Sequence, residues 1–129
     1  MATVQVEVVS IEAPVWSGAA TAVYGRTLDG ELGILPGHTP LLGALAPGHP
    51  VRIEREEGDD LHIAVHGGFL FVHKDQHVSV LAEEADLAEN IDAAAAREAL
   101  SSAERDEGPD AESARNRALA QLRAVGETV

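Results

Sequence analysis

Apolar residues alternate with polar ones along the first two thirds of the chain. Val4, Val6 and Val8 alternate with polar neighbours, and the same period of two returns near residues 51–54 and 78–80. Because successive side chains of a strand point to opposite faces, this pattern predicts half-buried β-strands. Turn-forming pairs of Gly, Pro and Asp divide these runs at short intervals, which is typical of a β-sandwich or barrel.

The pattern and the composition both change after Ala82. Alanine, glutamate, arginine and leucine, which are good helix formers, dominate the remaining residues. A Gly-Pro pair at residues 108–109 divides this part into two helical segments. The sequence therefore predicts a β-sandwich domain over residues 1–85 and an antiparallel helical hairpin over residues 86–129.

The hairpin has recognisable ends and a narrow apolar stripe. Asn90 or Asp92 can cap the first helix, and Asp110 can cap the second. The stripe of the second helix recurs at spacings of three and four and consists of Ala111, Ala114, Ala118, Leu122 and Val125. Because alanine buries little apolar area, we expect the hairpin to dock weakly on the sandwich and to move.

Charge and composition exclude several classes of function. The formal net charge of −13 repels nucleic acid and anionic lipid, and a single Trp, one Tyr and two Phe offer no platform for stacking bases. The chain has no cysteine, so disulfides, thiolate metal sites and thiol catalysis are all excluded. No run approaches the roughly 18 apolar residues needed to span a bilayer, and Glu7 interrupts the N-terminal apolar run, so no export signal is expected.

Catalytic and metal-binding patterns are weak. His62 and His66 lie about 13 Å apart along one predicted strand, too far to share one zinc ion. His73 and His77 flank a turn and can approach each other, but no carboxylate at ligand spacing stands beside them. No serine lies in a nucleophile elbow, and no Gly-rich loop leads into a phosphate-binding Lys. We therefore expect no catalytic residues, no metal and no cofactor.

Residues 30–42 read GELGILPGHTPLL, and four further stretches follow in order. These are VRI at 51–53, VHGGFLFV at 65–72, VSVLAEEA at 78–85 and NID at 90–92. Together they resemble the epsilon subunit of the F-type ATP synthase over nearly the whole chain. The GELGILPGH segment is the most specific part of this resemblance, and APVWSG at 13–18 is similar to actinobacterial versions.

The resemblance implies a ten-stranded flattened β-barrel followed by a helical hairpin, in agreement with the two periodicities. It implies a noncatalytic subunit that binds gamma in the central rotor stalk and touches the c-subunit ring for proton-driven ATP synthesis. It also implies that the hairpin restrains ATP hydrolysis by reaching the catalytic alpha and beta subunits. Membrane contact is expected only through the complex, peripherally, on the cytoplasmic side of the cell membrane.

The resemblance implies that the family's c-ring and gamma interface lies in the loop within residues 30–42. Its residues here are Glu31, Leu32, Ile34, Pro36, Gly37 and His38. Pro36 and Gly37 would form a rigid turn, with Glu31 and His38 on either side of the loop. The alternative for Leu32 and Ile34 is that they fill the end of the barrel.

The second helix carries a local excess of positive charge. Arg115, Arg117 and Arg123 stand against one acid between residues 111 and 125, and the resemblance implies that such cations restrain rotation at an acidic loop of beta. A solvated helix face is the alternative. Some family members bind ATP where an arginine follows the Ile-Asp pair, but this chain has Ala95 there, so nucleotide sensing is not expected.

Two other classes of function stay open from the residues alone. One is a free-standing adaptor whose sandwich binds some other protein. The other is a small hydrolase, which requires a concave pocket with perturbed acids that the sequence does not mark.

Overall fold

A computed structural model describes residues 2–129, which form eight strands and two helices. The strands are β1 Val4–Ser10, β2 Pro14–Ala20, β3 Ala22–Thr27, β4 Gly30–Ile34, β5 Leu41–Ala44, β6 Val51–Glu54, β7 Leu61–Val72 and β8 Val78–Leu87. The helices are α1 Ala93–Arg105 and α2 Ala111–Ala124, and a short 3-10 turn at Ala88–Asn90 precedes them.

The strands follow the order β2-β1-β8-β7-β6-β3-β4, with β5 also paired to β7. All named pairs are antiparallel except β1 with β8, which run parallel. The edge strands β2 and β4 are not hydrogen-bonded to each other, so this sheet is not closed into a barrel.

The described residues therefore form a β-sandwich of eight strands, and the expected ten are not found. The count is lower because β7 and β8 are long, at 12 and 10 residues. β7 pairs with β6 through residues 61–63 and with β5 through residues 69–72. One continuous strand thus serves two neighbours along its length.

The core is aliphatic, as the composition predicts. Alternate residues of β1, β3, β6, β7 and β8 point inward and are buried, and Ile34 of β4 joins them. The largest fully buried side chains of the sandwich are Val6, Val8, Val23, Ile34, Val51, Ile53, Ile63, Leu70, Val72, Val78 and Val80. The period of two along the sequence therefore reports which side chains face the core.

Two adjacent glycines in β7 are required by the local backbone. Gly67 adopts a φ of +64°, which L side chains rarely adopt. A Cβ on Gly68 would lie 2.6 Å from the carbonyl oxygen of Leu81 on β8, so a side chain there would force the two strands apart. Glycine inside a strand often marks such a close approach of two backbones.

The two helices pack against each other, and α2 also packs on β7. Asp92 caps α1 by accepting a hydrogen bond from the Ala95 N–H at 3.1 Å. Asp110 holds the N-cap position of α2, but its side chain makes no capping hydrogen bond. No helix among residues 2–129 is long and apolar enough to cross a membrane.

The apolar surface of α2 is wider than the predicted stripe. Ala118 and Leu122 of that stripe are buried, and so are Ala120 and Ala124, which lie outside it. Ala120 and Ala124 pack with Ala64 of β7 in a small cluster. This second row of alanines is what faces the sandwich.

Candidate partner-binding surfaces

The loop within residues 30–42 is part strand and part turn. Residues up to Ile34 belong to β4, and a turn follows in which the His38 N–H donates to the Leu35 carbonyl at 3.1 Å. Gly37 has a φ of +90°, which the turn requires and which favours glycine. Leu35 is 55% exposed at this turn, so the loop presents an apolar side chain to solvent.

Not every predicted interface residue is available for contact. Ile34 is fully buried and Leu32 is partly buried against the same core, so Ile34 fills the sandwich and its assignment to the interface is corrected. Glu31 is exposed, and Pro36 and His38 are half-buried. No hydrogen bond or ion pair of the described residues joins Glu31 to His38.

Glu31 lies in a shallow groove that gathers cations. Its cross-strand partner on β3 is Arg26, and His49 and Arg52 also line this groove of about 520 Å³. Burial lowers the pKa of His49 below its ordinary value, and the nearby guanidinium groups of Arg123 and Arg26 lower it further, while Glu31 opposes them. Arg52 also stacks on the Tyr24 ring at 4.2 Å.

An exposed apolar face crosses the outer side of the sheet. It consists of Leu42 of β5, Phe69 and Phe71 of β7, and Leu81 of β8, and we call this set the apolar face. Leu42 is directly opposite Phe71, and Phe69 is directly opposite Leu81. Leu42, Phe69 and Leu81 are 62%, 52% and 43% exposed. A contiguous row of large apolar side chains in water marks a surface for a partner.

The apolar face is not evident from the sequence alone, although Leu42 belongs to residues 30–42. The alternation of β7 and β8 contains the signal, because Leu70, Val72, Val78 and Val80 point inward and their neighbours must point outward. Which outward residues become neighbours depends on strand pairing, and that pairing is not visible in the sequence.

Two of the three hairpin arginines contact the sandwich. Arg117 Nε donates to Glu84 Oε2 at 2.6 Å, and Arg123 Nη1 donates to the Gly48 carbonyl at 2.5 Å. Arg115 is exposed and makes no hydrogen bond or ion pair with the described residues. The docked hairpin therefore leaves one of these cations available.

The start of α1 lies beside a groove of about 360 Å³. Asp92 and Ala95 line it, together with Asp86 of β8, Asn90 and Gln121. None of the described lining residues is basic, and Arg97 forms an ion pair with Glu127 instead. A polyanion such as a nucleotide would find carboxylates here in place of cations.

One group of described side chains could hold a metal ion, and it joins Glu7 of β1 to His73 and His77. The turn between β7 and β8 brings the two imidazole rings into a stack with 3.7 Å between centroids. Glu7 reaches them because β1 runs parallel to β8, with Glu7 directly opposite Ser79. Glu7 and the turn are more than sixty residues apart in the chain, so sequence spacing could not reveal the carboxylate.

Residues 3–88 match the family model for the ATP synthase delta/epsilon chain β-sandwich domain. The chain belongs to this family. It is 50% identical over 126 residues to the ATP synthase epsilon chain of Mycobacterium avium (strain 104), covering 98% of each chain. It is 49% identical over 124 residues to that of Thermobifida fusca (strain YX), covering 93% of this chain and 90% of the relative.

Solved structures agree with this assignment. A chain in the Euglena gracilis mitochondrial ATP synthase, described as OSCP/F1/c-ring, superposes with a TM-score of 0.72 at 27% identity. The match covers 95% of this chain and 76% of that one. A chain of the Tetrahymena thermophila central stalk and c-ring shares the fold, with a TM-score of 0.58 at 13% identity.

Proposed function

We propose that this epsilon chain is a noncatalytic subunit of the central rotor stalk that couples gamma to the c ring during proton-driven ATP synthesis. The observation that carries the proposal is the match to epsilon chains along 98% of the chain. Solved relatives lie in assemblies described as c-ring and central stalk. The protein would be peripheral, on the cytoplasmic side of the cell membrane, with residues 1–85 as the stalk domain and 86–129 as the hairpin.

Two surfaces of the sandwich fit the two rotor partners. The loop with Glu31, Leu32, Pro36, Gly37 and His38 is assigned to the c ring and the adjoining part of gamma. The apolar face is assigned to gamma, because a permanent partner can keep large apolar side chains out of water. The two surfaces are close in the chain, since Leu42 lies four residues after His38.

The hairpin is proposed to restrain ATP hydrolysis through Arg115, Arg117 and Arg123 at the catalytic alpha and beta subunits. The contacts of Arg117 with Glu84 and of Arg123 with Gly48 would have to break first. The docked conformation is therefore the one that does not inhibit, and undocking supplies two of the three cations. Small buried alanines hold the hairpin, so the free energy required is modest.

The test is co-elution of the full chain with its cognate gamma subunit bound to the catalytic hexamer, with the ATPase rate measured on the eluted complex. We expect co-elution and a lowered rate, and we expect a chain lacking residues 90–129 to co-elute with a higher rate. Equal rates for the two chains would remove the inhibitory role. Failure of both chains to co-elute would remove the rotor assignment and favour an adaptor.

A further inference from the structure

The histidines at the turn between β7 and β8 meet a carboxylate from a distant strand. Glu7, His73 and His77 each offer one ligand atom, and these atoms all lie within 4.8 Å of one another. Imidazole nitrogen and carboxylate oxygen are ligands that Zn²⁺ binds in proteins. We propose that Glu7, His73 and His77 form a binding site for a divalent transition-metal ion such as Zn²⁺.

His77 is already oriented as a ligand. Its Nδ1 lies 2.6 Å from Asp75 Oδ1, and an ionised carboxylate accepts a hydrogen bond, so the proton is on Nδ1. In the neutral ring that carries this proton on Nδ1, Nε2 has the lone pair that a metal ion needs. A carboxylate that fixes the tautomer of a histidine in this way is a recurrent feature of zinc sites. Asp75 is therefore a positioning residue.

The gap between His77 and Glu7 is close to the size of an ion site. His77 Nε2 lies 3.9 Å from Glu7 Oε1, which is too long for a hydrogen bond. Two ligands of one tetrahedral zinc ion, each about 2.0–2.1 Å from the metal, are roughly 3.4 Å apart. Both side chains are partly exposed, so a small rotation of either closes the difference.

His73 is the ligand that must move. Its Nε2 lies 2.8 Å from Ser79 Oγ, and the Ser79 hydroxyl donates to Glu7 Oε1 at 2.6 Å. Because the Ser79 hydroxyl proton is donated to Glu7, His73 Nε2 is the donor and Ser79 Oγ the acceptor in the other hydrogen bond. Metal binding replaces that hydrogen bond and rotates His73 out of its stack on His77, while its Nε2 proton leaves or moves to Nδ1. Ser79 can keep its hydrogen bond to Glu7.

The surroundings favour a cation. Glu7 and Asp75 place two carboxylates around the imidazoles, against one lysine, Lys74, in the same turn. An ion held here would add a cross-link between β1 and the turn between β7 and β8, beside the pairing of β1 with β8 and the relay through Ser79. Metal binding should therefore stabilise the folded chain.

The experiment is calorimetric titration of the untagged full chain with zinc chloride, with the melting temperature recorded with and without the metal. We expect one ion per chain, a higher melting temperature, and shifts of amide resonances confined to the neighbourhood of residue 7 and residues 73–79. His77→Ala and His73→Ala should each weaken binding at least tenfold. Asp75→Asn should weaken it about tenfold, as for other residues that orient a zinc ligand.

His62→Ala is the matched control, because it removes a half-buried histidine of β7 that lies outside the cluster. It should bind zinc as the unmodified chain does. Circular dichroism checks that each variant is folded before titration. Absence of binding at millimolar zinc would overturn the proposal, and so would binding that survives the double change of His73 and His77 to alanine. Unchanged affinity in Asp75→Asn would refute the positioning role of Asp75.

Discussion

Replacing Phe69 by alanine tests whether the apolar face is the surface that binds gamma. Phe69 stands on the outer side of β7 opposite Leu81 and is 52% exposed. Its inward neighbour Leu70 belongs to the core. The substitution therefore removes apolar surface from the face while the core residues stay in place, and the variant should fold normally.

The expected loss of affinity follows from the area that a partner would cover. A phenylalanine side chain presents about 150–250 Å², so the exposed half, less what alanine retains, is roughly 80 Å². At about 25 cal/mol per Å² this area contributes about 2 kcal/mol to binding. Since about 1.4 kcal/mol is tenfold in a dissociation constant, Phe69→Ala should weaken the gamma complex about 30-fold.

The assay is a binding titration of the labelled full chain against the catalytic hexamer carrying gamma, with gel filtration as a second measurement. Leu28→Ala is the matched control, because Leu28 is 70% exposed at the turn between β3 and β4 and lies outside the apolar face. It should leave affinity within about twofold. Equal affinities for the two variants would refute the assignment of the apolar face, and a loss confined to Leu28→Ala would relocate the interface.

Three further predictions concern the hairpin. Ala120→Leu overpacks the contact between α2 and the sandwich, which should destabilise this contact by about 1–3 kcal/mol and speed amide exchange in α2. Ala94→Leu, an exposed control on α1, should leave amide exchange in α2 unchanged. Arg123→Gln should raise the pKa of His49 toward 6.5 in an NMR titration, because one of the cations lowering it is gone. Below pH 6.5 the unfolded chain binds more protons at His49 than the folded chain does. Lowering the pH therefore decreases the stability of the unmodified chain, and Arg123→Gln should reduce that decrease. Millimolar ATP should leave amide shifts around Ala95 unchanged, and saturable shifts there would contradict this.

Local regularities made the fold predictable from the sequence. Alternation in β1 and β8 indicates which side chains face the core, and helix formers with a Gly-Pro break indicate two helices, so a sandwich followed by two helices was predicted correctly. The strand count came from the resemblance, and it was too high because β7 runs unbroken past two partners. Periodicity cannot separate the end of one strand from the start of the next when the strand pairs with two partners along one unbroken length.

The surfaces were less predictable because they depend on pairing between distant strands. Ile34 shows this for the loop: its apolar side chain is compatible with an interface or a core, and only the position of β4 in the sheet decides for the core. Glu7 shows it for the metal cluster, since the parallel pairing of β1 with β8 brings it to His73 and His77. The apolar face likewise exists only once β5, β7 and β8 are adjacent.

Under the proposed inhibitory role, docking of the hairpin and restraint of ATP hydrolysis depend on the same side chains. The ion pair of Arg117 with Glu84 is partly exposed on both sides, and such pairs contribute about 0–1 kcal/mol. The contact of Arg123 with Gly48 adds one charge-assisted hydrogen bond, and the alanine cluster adds little apolar area. Each contact is weak, so a partner that offers carboxylates to the same arginines can compete with the sandwich for the hairpin. Substitutions that strengthen docking should therefore weaken the proposed inhibition, because one set of cations cannot serve both surfaces at once.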